Sequence, residues 1–321
     1  MPVLGAVTNP SILQQIYDET WPIWGDRLSR ANYERYNRAQ MLTEWGKTHL
    51  DRVAWTDGDD LLASAKRYRL SMSVDGQDVR ALGIGAVFTP AAHRGRGHAA
   101  ALIEALVAEA ADQGSRYALL FSEIGSEFYA RLGFTPLPID ETMIELKVQP
   151  REGSPAVLVR GGDERDIAAI SAMHDARRGR YRMSLERSKD YVRYALARRR
   201  LLAAFGAPGA REVEFFIIEE GATAAAYVVI SRGPDGPVLE DFGDRDPTGA
   251  RVGAMLQVLA ARTPAEPMQP LRAWLPVDFH PVQIERVSAE PARDVAMIRG
   301  IGAAAPALNA DDLFFMKGDA F

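Results

Sequence analysis

Hydrophobic and polar positions change period several times along this chain, and the changes mark out its elements. Leu4 to Thr8 predicts a short strand. Pro10 and Ser11 open a helix through about Trp21. Ser29 to about Lys47 carries Tyr33, Tyr36, Ala39 and Leu42 at helical spacing and predicts a second helix. The period then shortens, and Arg52–Thr56, Leu61–Ser73 and Val79–Thr89 read as strands. Asp57-Gly58-Asp59-Asp60 and Asp75-Gly76-Gln77 between them are turn chemistry for antiparallel hairpins. From Gly97 to Gln113 the positions Leu102, Ile103, Leu106, Val107 and Ala110 form one helical stripe that Gly114 ends. Tyr117–Phe121 predicts a buried strand, Ser126–Leu132 a short helix closed by Gly133, and Phe134 to Val148 a long last strand.

Gln149 to Pro155 has the composition of a linker. Beyond it the same order returns. A strand is expected at Val157–Arg160, helices at Asp163–Arg178 and Ser184–Arg200, and strands at Val213–Glu219, Ala224–Arg232 and Val238–Phe242. A helix from Pro247 to about Arg262 follows, then strands at Leu271–Leu275, Asp294–Ile298 and Leu313–Lys317. The pattern predicts an α/β fold of the α+β kind, in two domains at 1–150 and 151–321. Each is a mixed, mostly antiparallel sheet flanked by helices, and the second is a structural repeat of the first.

Composition narrows the chemistry. The chain has 321 residues, room for two ordinary domains, and 47% hydrophobic with 25% charged residues, the balance of a globular protein. A net charge of -5 gives no global basic field, so nucleic acid and anionic membrane are not expected partners. The absence of cysteine excludes disulfides, thiolate metal sites and a Cys nucleophile. The five histidines lack ligand spacing, so no metal is expected. The first basic residue is Arg27, no apolar core follows Met1, and no apolar stretch approaches a membrane span, so a cytoplasmic location is expected. A homo-oligomer stays open.

The informative segment is His93-Arg94-Gly95-Arg96-Gly97-His98-Ala99-Ala100, between a strand and a helix. Two glycines permit close approach of backbone to ligand, and their N–H groups with the helix dipole make a pyrophosphate cradle. Arg94 and Arg96 add positive charge. The run also satisfies G-x-G-x-x-A, and Glu123 lies near where a ribose-binding carboxylate is expected, which keeps a dinucleotide oxidoreductase open. Context weighs against that reading, because the preceding strands join through tight antiparallel turns.

Arg94-Gly95-Arg96-Gly97-His98-Ala99 resembles R/Q-x-x-G-x-G/A, the coenzyme A signature of the GNAT acyltransferases. Phe128-Tyr129-Ala130-Arg131-Leu132-Gly133-Phe134 is similar to their F-Y-x-x-x-G-F segment, and Ser122 stands where that family often has Asn. The order of elements over residues 1–148 matches as well. Val87-Phe88-Thr89-Pro90 with Phe121-Ser122-Glu123-Ile124-Gly125 resembles the fungal lysine acetyltransferases. The tandem layout resembles the bacterial aminoglycoside-acetylating survival proteins, without room for their third domain.

The resemblance implies transfer of an acetyl group from acetyl-coenzyme A to an amine of a small molecule or peptide in a ternary complex. It implies Tyr129 as the acid that protonates the leaving thiolate. It also implies a backbone N–H at Val87, Phe88 or Thr89 as the oxyanion donor. The base is Glu123 or, by likeness to the tandem family, the terminal carboxylate of Phe321. Arg94 to Ala99, Ser122 and Phe128 complete the implied cofactor site. A non-catalytic acyl-coenzyme A sensor on the same fold is the alternative.

The aromatic side chains Tyr17, Trp21, Trp24, Tyr33, Tyr36, Trp45 and Trp55 are expected mostly in the core, with one or two lining the acceptor pocket. In the second half, Glu240, Asp241, Asp244 and Asp246 stand at the equivalent strand-to-helix junction, which predicts a domain without coenzyme A. The runs Arg177-Arg178-Gly179-Arg180 and Arg198-Arg199-Arg200 read as solvated helix faces.

Overall fold

A computed structural model of the chain describes residues 1–147, 157–262 and 269–321. The linker expected at Gln149–Pro155 lies outside them.

The first half runs β1 (Val3–Ala6), α1 (Pro10–Trp24), α2 (Arg30–Leu42), α3 (Glu44–His49), β2 (Leu50–Asp57), β3 (Asp60–Val74) and β4 (Gln77–Phe88). It continues through α4 (His98–Asp112), β5 (Tyr117–Ser122), α5 (Glu127–Ala130), β6 (Thr135–Pro136) and β7 (Asp140–Leu146). The single helix expected from Ser29 to Lys47 is two. Thr43 takes an extended ψ of 157°, ends α2, and caps α3 with its side chain.

The second half runs β8 (Val159–Gly161), α6 (Ile167–Arg178), β9 (Met183–Leu185), α7 (Lys189–Phe205), β10 (Glu212–Glu220), β11 (Thr223–Gly233) and β12 (Gly236–Asp244). It ends with α8 (Ala250–Ala261), β13 (Leu271–Ala273), β14 (Ile284–Pro291), β15 (Val295–Gly300), β16 (Leu313–Phe314) and a last 3-10 turn at Lys317–Asp319. Ser184 therefore sits in a short strand, not in the helix expected there. That helix starts at Lys189, where the Ser188 side chain caps it.

Two mixed sheets result, each flanked by helices. One has the order β1-β2-β3-β4-β5-β15-β6, with β9 paired to the end of β3 and β16 to β9, nine strands among the described residues. The other has the order β14-β7-β13-β12-β11-β10-β8. The halves exchange strands. The strand expected to run unbroken from Phe134 to Val148 stops at Pro136 and resumes as β7 in the second sheet, antiparallel to β13 and β14. In return β15 lies between β5 and β6 in the first sheet.

Side-chain alternation sorts the first sheet into two faces. Val53, Ala63, Ala65, Leu82 and Ile84 point to α4 and bury Leu102, Ile103 and Leu106. Tyr68, Leu70, Met72 and Leu119 point the other way and pack on Trp45 of α3 and on Tyr191 and Tyr194 of α7. A helix of the second half thus covers the face of the first sheet opposite α4. Each large apolar side chain buried in these layers contributes roughly 1.5–3 kcal/mol.

Candidate active site

The site begins where two parallel strands stop pairing. β4 and β5 pair from Ala81 with Tyr117 to Ile84 with Leu120. Past that point they no longer pair, although β4 continues to Phe88 and β5 to Ser122. β4 also bulges there. Gly85 faces Lys66 and Phe88 faces Ser64, so Ala86 and Val87 share the place opposite Ala65. Ala86 adopts a φ of 47°, a conformation that a residue with a Cβ enters at a cost. A bulge re-aims a strand and leaves backbone groups outside the ladder. Val87, Phe88 and Thr89 form that arm of the opening, and Phe121 and Ser122 the other.

The chain then passes through a 3-10 turn at Ala91–His93 into α4. Arg94 Nε donates to the Thr89 carbonyl at 3.1 Å, which fastens the turn to the end of β4. Gly95 and Gly97 take φ of 75° and 81°, and a Cβ at either would meet open space. The left-handed backbone alone calls for glycine at both. Among the described residues no acceptor pairs with the N–H groups of Gly95, Arg96, Gly97, His98, Ala99 and Ala100. They gather at the positive end of α4, beside the exposed Arg94 and Arg96. The arrangement fits a phosphate-bearing ligand. His98 and Ala99 are half-buried in the first turn of α4, with the His98 ring 5.9 Å from that of His93.

On the other arm, Ser122 Oγ donates to the Gly125 carbonyl at 2.6 Å. Its hydroxyl holds the turn into α5 and is spent there. Glu123 is exposed one residue past β5. Tyr129 in α5 is 8% exposed, with Phe128 and Phe134 edge-on at 4.9 and 6.1 Å. Burial, and then the charge of Glu123, push its hydroxyl up to about 12. Tyr129 packs with the α4 face of the sheet.

Phe321 reaches the same opening from the other face. Its ring lies 4.3 Å from that of Tyr68 and 5.1 Å from that of Phe121. A Cβ on Gly83 would come 2.8 Å from Phe321 Cζ, and one on Gly85 would come 3.3 Å from its carbonyl oxygen. The two glycines of β4 clear the seat of the last residue. The tail that delivers it is tightly held. Arg198 of α7 donates to the carbonyls of Gly318 and Ala320 at 2.9 and 2.6 Å. Asp319, 1% exposed, takes Arg187 at 3.1 and 2.8 Å, the Tyr191 hydroxyl at 3.2 Å and the Met316 N–H at 2.8 Å. The ordinary expectation for a chain end is fraying.

Two expectations about charge are corrected here. Arg198 is 7% exposed and Arg177 6%, so each arginine run has one buried member, while Arg180 and Arg200 are exposed as expected. Arg198 holds the tail, and Arg177 pairs with Asp278. The sequence reading had no partner for either, because both partners lie more than ninety residues away in the chain. It also missed Ala86, Gly83, Gly85 and Lys66, whose positions depend on the register of β3 against β4. The Gly83-Ile84-Gly85 spacing inside a strand was the one available signal. Of the aromatic side chains, Tyr17 and Tyr33 fill the core under α1 and α2, and Trp45 packs on Tyr68, Tyr191 and Tyr194.

The matching junction of the second half is closed. Gly249 caps α8 with a φ of 77°, as Gly97 caps α4. The Asp244 carboxylate occupies the helix N-terminus, accepting from the N–H groups of Asp246 and Arg251 at 2.8 Å and of Val252 at 3.3 Å. Phe279 lies so close that a Cβ on Gly249 would come within 2.2 Å of it. Asp241 and Glu240 are engaged by Arg187 and Arg199.

A family profile described as an acetyltransferase (GNAT) domain matches residues 18–137. The chain carries a GNAT acyltransferase domain. Its fold extends over nearly the whole molecule. A GCN5-related N-acetyltransferase from Anabaena variabilis superposes with a TM-score of 0.70 at 13% identity, over 94% of this chain and 73% of that one. Eis1 from Mycobacterium abscessus gives 0.61 at 15% identity, over 94% and 74%. The N-myristoyltransferase of Saccharomyces cerevisiae, solved with bound myristoyl-CoA, gives 0.54 at 11% identity, over 92% and 82%. No curated protein matches by sequence. GNAT proteins use an acyl-coenzyme A, and the open N–H groups at Gly95–Ala100 would fit a pyrophosphate. Among the described residues no helix is long and apolar enough to cross a membrane.

Proposed function

We propose that the protein is an acetyl-coenzyme A-dependent N-acetyltransferase acting on an amine of a small molecule or peptide in a ternary complex. The observation that carries this reading is the seating of Phe321 against Gly83 and Gly85, beside the β4 bulge and on the strand that leads to the Arg94–Ala99 cradle. Acetyl-coenzyme A supplies the thioester. Gly95 to Ala100 hold its pyrophosphate through their N–H groups. Val87, Phe88 or Thr89 presents a backbone N–H beside the bulge to the developing oxyanion.

Tyr129 is the acid. A hydroxyl pushed up to about 12 stays protonated throughout the neutral range and has a proton for a leaving thiolate. The terminal carboxylate of Phe321 is the base that takes the ammonium proton, directly or through water. Glu123 stands behind Tyr129 and favours its protonated form. The carboxylate passes the ammonium proton to solvent, and the neutral amine adds to the thioester carbon to form the C–N bond and the oxyanion. On its collapse the C–S bond breaks, Tyr129 protonates the sulfur, and the remaining extra proton on nitrogen returns to restore the Tyr129 hydroxyl. The second half is a degenerate GNAT-like domain, its phosphate position filled by Asp244. It supplies α7 and the tail to the acceptor side of the first.

The test is thiol release from acetyl-coenzyme A across a panel of amines, with product mass as confirmation. Stoichiometric N-acetylated product is expected for at least one class. Tight acetyl-coenzyme A binding with no acetylated product from any class would replace the enzyme by a sensor.

A further inference from the structure

On the face of the first sheet that Phe321 occupies, the hydrogen-bond register lines up an unusual row. Arg52 of β2 stands directly opposite Lys66 of β3, and Lys66 directly opposite Gly85 of β4. Side chains opposite each other in antiparallel strands lie about 5 Å apart, and like charges in such pairs destabilise the sheet. Arg52 is 4% exposed. Its Nη2 donates to Asn37 Oδ1 at 3.2 Å, and its guanidinium lies 5.6 Å from the centre of the Tyr17 ring. Its Nε and Nη1 are buried without any partner. The half-buried Lys66 side chain makes no hydrogen bond or ion pair among the described residues. Burial, and then the charges of Arg52 and Arg198, push its ammonium well below the ordinary value. The charge of Arg198 also acts on Lys66, and the Arg198 Nε is likewise buried without a partner.

The nearby carboxylates do not neutralise this row. Asp241 and Asp319 are both held by Arg187, and the chain terminus adds one more anion. Four cations (Arg52, Lys66, Arg187, Arg198) thus face three anions, all of them on the tail side. A buried cation without a counter-charge costs several kcal/mol, and such a cost persists in a fold when a ligand relieves it.

We propose that the acceptor brings the missing charge: it is an amine that also carries a carboxylate, and the carboxylate lies between Arg52 and Lys66. This rests on the acetyl-transfer reading above. A guanidinium and an ammonium side by side recognise a carboxylate and reject its amide, which leaves the buried Arg52 unpaired.

The experiment compares matched acceptors: free amino acids, their amides and their decarboxylated amines. Acetyl transfer is read in wild type, Lys66→Met and Lys66→Arg, and thermal shift in the presence of coenzyme A reports binding without chemistry. Wild type is expected to favour the carboxylate over its amide by at least about tenfold in kcat/KM. Lys66→Met collapses that ratio, chiefly through KM for the carboxylate, and Lys66→Arg restores part of it. Because Lys66→Met also removes an uncompensated charge, its melting temperature is expected to rise. Amino carboxylates raise the melting temperature of wild type, and amides do not. Equal use of amides and acids, or equal thermal shifts where no transfer occurs, overturns the proposal. Failure to bind coenzyme A at all would instead overturn the acetyltransferase reading.

Discussion

Tyr129 shows how much one side chain's surroundings decide. Its motif was readable in the sequence, since aromatic-aromatic-x-x-x-Gly-Phe spacing places it in a short helix before a glycine. The upward push on its hydroxyl was not, because it depends on the burial among Phe128 and Phe134 and on the charge of Glu123. The shift has a definite sign. Folding holds the group neutral, so the stability it contributes is complete below pH 10 and is lost as pH rises from 10 through about 12. The acid should therefore serve well past neutrality. Tyr129→Phe is expected to lower kcat by about 10²-fold while leaving the coenzyme A dissociation constant within a factor of about 3. Wild-type kcat should show no alkaline limb below about pH 10, and kcat measured across pH in both proteins checks this. Lys66 is the opposite case. Nothing near it in the sequence marks it, because its neighbours Arg52 and Gly85 come from other strands.

At the scale of elements, strands, turns and α4 were legible because hydrophobic period and glycine placement specify them locally. The breaks were not. Thr43 splits a continuous helical pattern because its side chain caps the next helix. β9 takes the expected start of the second helix of that half, because Met72–Val74 of β3 offers it an edge to pair with. The last turn of the chain is the element with the greatest consequence. Asp319 anchors it through Arg187, Tyr191 and the Met316 N–H, all in a buried setting. Asp319→Ala leaves Arg187 paired with Asp241 but strips the acceptor from the Tyr191 hydroxyl and the Met316 N–H, and is expected to cost about 1–3 kcal/mol in urea unfolding. It is also expected to lower kcat more than coenzyme A affinity, because the tail loses its seat over Gly83 and Gly85.

At the scale of the molecule, the repeated order of elements announced two similar halves but concealed how they depend on each other. Each gives a strand to the other's sheet: β7 joins β13 and β14, and β15 joins β5 and β6. α7 covers the first sheet, and the tail leaves the second half to end against β4. Periodicity cannot reveal such exchange, because a strand's pattern is the same in either sheet. The halves also differ in chemistry at matching places, with open N–H groups at Gly95–Ala100 in one and the Asp244 carboxylate in the other. The central claim is that the second half completes the first half's active site with the carboxylate of Phe321. It is tested most directly by preparing the full chain with a C-terminal carboxamide, which keeps the Phe321 ring and the tail contacts and removes the charge. Single-turnover acetyl transfer should then slow by about 10²-fold or more with acetyl-coenzyme A binding unchanged. Transfer at the wild-type rate would contradict the claim and move the base to Glu123.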